Sequence, residues 1–319
     1  MGTTLMPYSP SPYPRRRSRR KVIASAPSPF GSAVAASASY GSRYERAFES
    51  WGDYVTRSEQ ATGPLGRASR ETDSYHSAEW AGTATFEDAV KLARDGWADG
   101  AGRLEELTAR LEGKLSNVSA VKRIVYSMAG PGVLDMGRYL MGHPEPYMRW
   151  ADSEELTDVN PDRIVKLLVN AGANSDLSTE RIWWRGAAAV AITDLIESSG
   201  ARVEIELVRK NRSQATHIRR ILVKRAQDHI SLEILAFALA HNASHRRIDF
   251  SVRETESEPI RRLIGAYSGG GYGTSTDLDT DEINGALYVP YSAPEFSGPE
   301  STAQWVVETL GKFGIEVQT

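Results

Sequence analysis

The chain has 319 residues, 40% hydrophobic and 25% charged, the make-up of a globular protein long enough to bury a sizeable core. Cysteine is absent, which excludes disulfides, thiolate metal sites and cysteine nucleophiles, and no run approaches the roughly 18 uninterrupted apolar residues of a membrane span. The net charge of -3 is unevenly placed: residues 1–44 hold seven Lys/Arg and no Asp or Glu, which leaves -10 on residues 45–319.

Residues 1–44 read as a disordered basic tail, because their Pro, Ser, Ala and Gly bury too little apolar surface to offset the entropy of ordering. "RRRSRRK" places Arg15, Arg16, Arg17, Arg19, Arg20 and Lys21 together, six cations able to neutralise several phosphates, so DNA or RNA binding with steep salt dependence is one reading. Tyr8, Tyr13 and Phe30 could stack on bases. A solvated tail is another. A third is export, since "SRRKVIA" resembles a twin-arginine signal, although Pro27 and Pro29 interrupt the apolar stretch such a signal needs; a cytoplasmic location is therefore expected.

Residues 45–75 read as an irregular linker, with "YERAFESWGDYV" a short amphipathic helix candidate carrying Phe48, Trp51 and Tyr54 as core or docking aromatics. A helical region with a Gly/Pro-rich segment spans 76–162. Thr85 and Asp88 form a capping-box pattern ahead of the face Phe86, Ala89, Val90, Ala93, Trp97, and a second helix from Gly102 to Leu115 carries Leu104, Leu107 and Leu111. In residues 121–150 Gly130, Gly132, Gly137 and Gly142 match no phosphate loop, and Met128, Met136, Met141 and Met148 read as gap fillers against a core.

From residue 163 to 319 the pattern is α/β. Strands are predicted at 163–170, 202–210, 217–225, 248–254 and 285–291, and helices at 179–200, 231–247 and 301–314, which implies a three-layer Rossmann-like sheet with helices on both faces. Ligands in such sheets bind beyond the carboxyl ends of the strands, where "NAGANSD" lies.

That loop, ahead of its crossover helix, resembles a von Willebrand factor A domain, whose first strand ends in Asp-x-Ser-x-Ser. Asn170 stands at the Asp position, Gly172 at the first Ser and Asn174 at the second; the resemblance covers about residues 163–319 and implies a Mg²⁺ site for which only Asn174, Ser175 and Asp176 remain as weak candidate ligands. No cofactor is therefore expected. The same resemblance implies a ring ATPase as one protein partner. "EWAGTATFEDAVKLARDGW", "AGPGVLDMGRYLMGHPEPYM", "RGAAAVAITDLIESSGARVEIELV" and "AHNASHRRIDFSV" also resemble a bacteriophage and actinobacterial family of unknown function, over residues 77–319.

His241 and His245 are four apart, as two ligands on a helix would be, without the intervening Glu of a metalloprotease. "DLDTDE" alternates Asp277, Asp279 and Asp281 like a calcium loop, but Glu282 stands where that loop needs Gly and Tyr288 where it needs Glu. "RKNRSQATHIRR" (209–220) could extend a basic surface, and Tyr272 in "SGGGYG" could reach a partner.

The sequence thus points to a non-enzymatic binding or assembly protein. Asn170, Gly172, Asn174, Ser175, Asp176 and Tyr272 would form its partner-binding loops, and its tail could hold nucleic acid. The competing readings are a metal-dependent enzyme acting on nucleic acid, with Asp176, His241, His245 and residues 277–282 gathered in one cleft, and a phage virion component.

Overall fold

The computed structural model describes residues 22–24, 39–61, 67–70, 77–115, 122–129, 133–150, 164–198, 200–267, 271–312 and 315–316. Arg15 to Lys21 lie outside the described residues. The first elements are β1 (Val22–Ala24), β2 (Arg43–Phe48), α1 (Trp51–Glu59), α2 (Arg67–Arg70), α3 (Ala78–Ala81), α4 (Phe86–Asp95) and α5 (Ala98–Leu115). A small module follows: β3 (Lys122–Ser127), β4 (Val133–Leu134), α6 (Met136–Leu140) and β5 (Tyr147–Trp150). The α/β body runs β6 (Ile164–Asn170), α7 (Thr179–Ser198), β7 (Arg202–Arg212), β8 (Thr216–Lys224) and α8 (Leu232–Ala240). After a π-helical turn (Ser244–Asp249) come α9 (Phe250–Glu254), α10 (Glu258–Ile264), β9 (Thr274–Ser275), α11 (Thr280–Ile283), β10 (Leu287–Val289), α12 (Pro299–Lys312) and β11 (Ile315–Glu316).

The large sheet has the order β1-β2-β8-β7-β6-β10, with β9 on the end of β7. β6, α7 and β7 form the predicted parallel strand–helix–strand unit, Ile164 to Asn170 registering with Arg202 to Val208. β7 and β8 are antiparallel, since the few residues between Arg212 and Thr216 can turn a hairpin but cannot carry a crossover. The sheet is therefore mixed, two parallel blocks joined at β7–β8.

That hairpin also corrects the three-layer expectation. Val165, Leu167, Val169, Val203, Ile205, Leu207 and Ile221 face one core shared with α1, α4, α5, α7, α8 and α12. On the opposite face Leu168, Val208 and Ile218 meet, among the described residues, Leu278, Ile283, Ala286 and Tyr288, from the segment that contains the four-residue α11. Among the described residues no crossover helix serves that face, and it carries ion pairs instead: Arg220 with Glu45 and Glu206 (2.7 and 2.8 Å), Lys166 with Glu206 (2.8 Å) and Lys210 with Glu282 (2.7 Å).

The stretch expected as linker contributes to this body. β2 pairs in parallel with β8, from Arg43 beside Thr216 to Phe48 beside Ile221, and lies between β8 and the short β1. In α1, Trp51 donates from Nε1 to the Ala93 carbonyl (2.7 Å) and Tyr54 is fully buried, two aromatics whose burial contributes about 1.5–3 kcal/mol each. The capping box of α4 forms in both directions, Thr85 and Asp88 exchanging 3.0 Å bonds. Gly96 ends α4 at φ +91, where a Cβ would lie 2.5 Å from Cβ of Glu233.

Residues 248–254, expected as a strand, are helical. Their apolar alternation also satisfies an i, i+4 helix face, and Ile248 with Val252 takes that option by entering the main core. The helix predicted for 231–247 stops at Ala240, and His241 is extended (ψ 130).

Candidate functional site

β6 sends its chain to β7 on one side while β10 lies on the other, the arrangement that opens a ligand crevice at the carboxyl ends of an α/β sheet. Here the crevice is filled by the protein's own polar groups. Asn170 is fully buried; its Nδ2 faces the Thr276 carbonyl (3.1 Å), Tyr288 Oη (3.0 Å) and Asp277 Oδ1 (3.4 Å), and its Oδ1 accepts from the Gly172 amide (3.0 Å). Asp277 Oδ1 also accepts from Tyr288 Oη (2.7 Å) and the Tyr291 amide (2.9 Å). Burial, reinforced by that bond to Asp277, raises the Tyr288 phenol and keeps it protonated. Arg185 closes the floor, reaching from α7 to the carbonyls of Gly172 (2.7 Å), Tyr291 (3.0 Å) and Leu239 (3.0 Å).

These donors do not suit a divalent cation. Asn170 presents an amide whose NH₂ points at the Asp277 carboxylate and whose oxygen is taken by backbone. Gly172 cannot regain a side chain, because a Cβ there would lie 2.9 Å from Cβ of Ser275. Asn174 is spent on Ser275, accepting from its amide (2.7 Å) and donating to its carbonyl (3.3 Å). Only Ser175 and Asp176 of the proposed loop are exposed.

The other candidates sit apart. Tyr272, expected to project, is buried at φ +53, stacked on Phe250 with centroids 3.8 Å apart. His241 lies against Trp97 and Phe237, whereas His245 is in the π-helical turn, 4.0 Å from Asp249; the extended break at His241 removes them from a common helical face. Burial lowers both histidines, to about 4 and about 3. Glu282 completes a capping box on Asp279 and pairs with Lys210, so residues 277–282 form a helix start rather than a calcium loop. Among the described residues no group of three or more His, Cys, Asp or Glu could hold a metal ion. The basic run 209–220 is turned inward: Arg209 and Arg219 are fully buried, Lys210 and Arg220 are paired, and only Arg212 is exposed.

What sequence reasoning missed most completely is a set of five fully buried arginines, Arg185, Arg209, Arg219, Arg247 and Arg253. Each donates to backbone carbonyls, several of them at helix ends: Arg209 to Ala238 and Ser244, Arg247 to Ser69 and Thr83, Arg253 to Ile264, Arg219 to His217. A guanidinium offers five donors in a rigid fork, which suits the capping of convergent carbonyls, but an arginine in a sequence carries no sign that it will be interior. Asp249 is the buried countercharge. Burial alone would push its carboxyl up, and Arg219, Arg209 and Arg253 together outweigh that and hold it well below the usual range.

Glu254 behaves oppositely. It is buried between Ser69 Oγ (2.5 Å) and Tyr272 Oη, and burial pushes it up to about 7 against those two hydrogen bonds. A carboxyl raised in the folded state lends stability that is complete below its ordinary value of 4.5 and lost as pH rises through about 7. Glu254→Gln is therefore expected to match the parent at pH 5 and to exceed it above pH 7, by about 1–3 kcal/mol in chemical denaturation. Parallel stability curves for the two proteins would rule out a buried, titrating carboxyl.

The small module carries most of the large apolar side chains left in water among the described residues. Its sheet has the order β11-β3-β5-β4, and none of the residues of α6 is buried. Met128 (73% exposed), Val133, Met136, Tyr139, Leu140 (76%) and Met141 (80%) are six of the eight large hydrophobics exposed among the described residues. The expectation that these methionines fill a core fails for three of the four, and Met148 alone is half-buried. The available signal was the dense run of Met, Leu and Tyr among Gly and Pro, with no second apolar face for it to pack against.

These features define an α/β protein whose strand-end crevice is closed by its own side chains and whose exposed apolar surface lies on a separate module. The chain belongs to the family described as Domain of unknown function (DUF7192), whose model matches residues 20–317. No curated protein and no solved structure matches it. Among the described residues no helix is long and apolar enough to cross a membrane.

Proposed function

We propose that this chain is a non-enzymatic binding or assembly protein, a degenerate von Willebrand factor A-like body that docks a protein partner through the β4–α6 projection. The single observation that carries this is the cluster of six exposed apolar side chains between Met128 and Met141, since soluble proteins seldom leave such a patch bare except where something binds. The A-like reading rests on the place of Asn170, Gly172 and Asn174 at the carboxyl end of β6, ahead of the crossover helix α7. Against the enzyme reading, Asp176, His241, His245 and residues 277–282 stand on separate supports, and Oδ1 of Asp277 is taken by Tyr288 and the Tyr291 amide.

The partner surface we infer is apolar and acidic. Residues 122–150 carry four Lys/Arg against two Asp/Glu, a net +2 on a body that is otherwise strongly acidic, so two copies of the projection repel while an acidic apolar segment is attracted. A ring ATPase is the partner suggested by the A-domain likeness. The full chain is expected to retain a partner in pull-downs at low salt and to lose it, at least tenfold, in Leu140→Glu/Met141→Glu, whereas Ser175→Ala/Asp176→Ala keeps it. Retention of the same partner by the projection variant refutes the site; concentration-dependent self-association of the parent, abolished by that variant, favours the virion-component reading.

The Arg-rich run is the second contact we propose, with nucleic acid. Deleting residues 1–44 would remove β1 and the first residues of β2, so the cleaner variant replaces the six cations by serine. The parent's log affinity for duplex DNA should fall with log salt by about 0.9 per phosphate neutralised, and the variant should lose most of that slope. Equal slopes would refute the tether.

A further inference from the structure

Sulfur in this chain is all thioether: six methionines and no cysteine. Four of the six fall between residues 128 and 148, where Met128, Met136 and Met141 are 73%, 56% and 80% exposed and Met148 is half-buried in β5 opposite Tyr126 and Val133. No methionine is among the buried hydrophobic residues described for the core. The oxidisable groups and the fold are thus held apart.

We propose that Met128, Met136 and Met141 form a peroxide-sensitive modification site that switches off the apolar projection. This rests on the docking function proposed above. In the reaction a thioether sulfur lone pair attacks one peroxide oxygen; the S–O bond forms, the O–O bond breaks, and the departing oxygen leaves as water. Sulfur is oxidised by two electrons and the peroxide is reduced by two. The product sulfoxide is polar and chiral, and a reductase of the methionine sulfoxide class reverses it. Three sulfoxides among six apolar side chains place strong acceptors on a surface that works by excluding water. α6 has no buried residue to lose, so the change reaches the projection without unfolding the body.

The test treats the full chain with graded hydrogen peroxide, reads each methionine by peptide mass spectrometry, and follows the apolar surface with the dye bis-ANS. Met128, Met136 and Met141 are expected to gain one oxygen several-fold faster than Met148, and dye fluorescence to fall several-fold with no shift of the thermal unfolding midpoint. Met128→Leu/Met136→Leu/Met141→Leu should keep its dye signal in peroxide, and reductase treatment should restore the parent's. Equal oxidation of Met148, an unchanged parent signal, or an equal loss in the leucine variant each overturns the proposal. These readouts need no partner, so a failed pull-down would remove the docking function while leaving the oxidation order and the dye response to be judged separately.

Discussion

Asp249→Ala is expected to lower the unfolding free energy by about 3–5 kcal/mol, the cost of leaving a buried charge without its partner. Arg219 grips both carboxylate oxygens, from Nε and Nη2 at 2.9 Å each, and Tyr54 Oη donates at 2.5 Å, with all three side chains fully buried. Removing the carboxylate strands the Arg219 guanidinium near Arg209 and Arg253 and leaves a buried phenol without an acceptor. Asp249→Ala/Arg219→Met should recover much of the loss, because deleting both charges removes the desolvation cost as well as the attraction. Denaturant titration at neutral pH decides this, and a loss under about 1 kcal/mol would mean that the pair is replaceable by solvent or by carbonyl contacts.

Acid should weaken the fold in two stages. Burial lowers His217, His241 and His245 to about 4, 4 and 3, from an ordinary value of 6.5. A depressed folded value means stability that is present above 6.5 and lost as pH falls toward those lower values. Asp249, also depressed, defends its share until its unfolded value of 3.8 is passed. The parent should therefore weaken between about pH 6.5 and 4 through its histidines and fail steeply only below that.

The second large effect is Asn170→Asp, which introduces the residue that the A-domain motif carries. In an intact metal site it should increase Mg²⁺ affinity. In this crevice it sets a second carboxylate 3.4 Å from Asp277 Oδ1 and removes the donor to Thr276 and Tyr288. The expected outcome is a loss of about 3–4 kcal/mol at pH 7, unchanged by millimolar Mg²⁺. Metal-dependent recovery of stability would show instead that the loop had kept its ligand geometry and lost only its charge.

Much of the body is legible in the sequence. The β6–α7–β7 unit, the capping box at Thr85, the leucine face of α5 and the end of α7 near Gly200 all follow from periodicity and caps, which are local. The failures are of other kinds. Residues 248–254 satisfy strand and helix patterns equally, so the choice falls to whether Ile248 and Val252 can share the main core. β2 looks like linker because a six-residue strand gains its worth from β8, which lies far along the chain.

The candidate site is less legible still. The loop at Asn170 is rightly placed at a strand end, but its chemistry depends on residues more than a hundred positions away, Asp277, Tyr288 and Tyr291, whose approach closes the crevice. By itself the sequence determined the α/β class, the basic run and the absence of sulfur nucleophiles, because composition and short-range spacing suffice for these. Only the tertiary structure decided that Arg209, Arg219, Arg247 and Arg253 point inward to cap carbonyls, that Tyr272 is core, and that Met128, Met136 and Met141 face water. Burial is a property of what lies across the fold from a residue, and no window of sequence contains its neighbours.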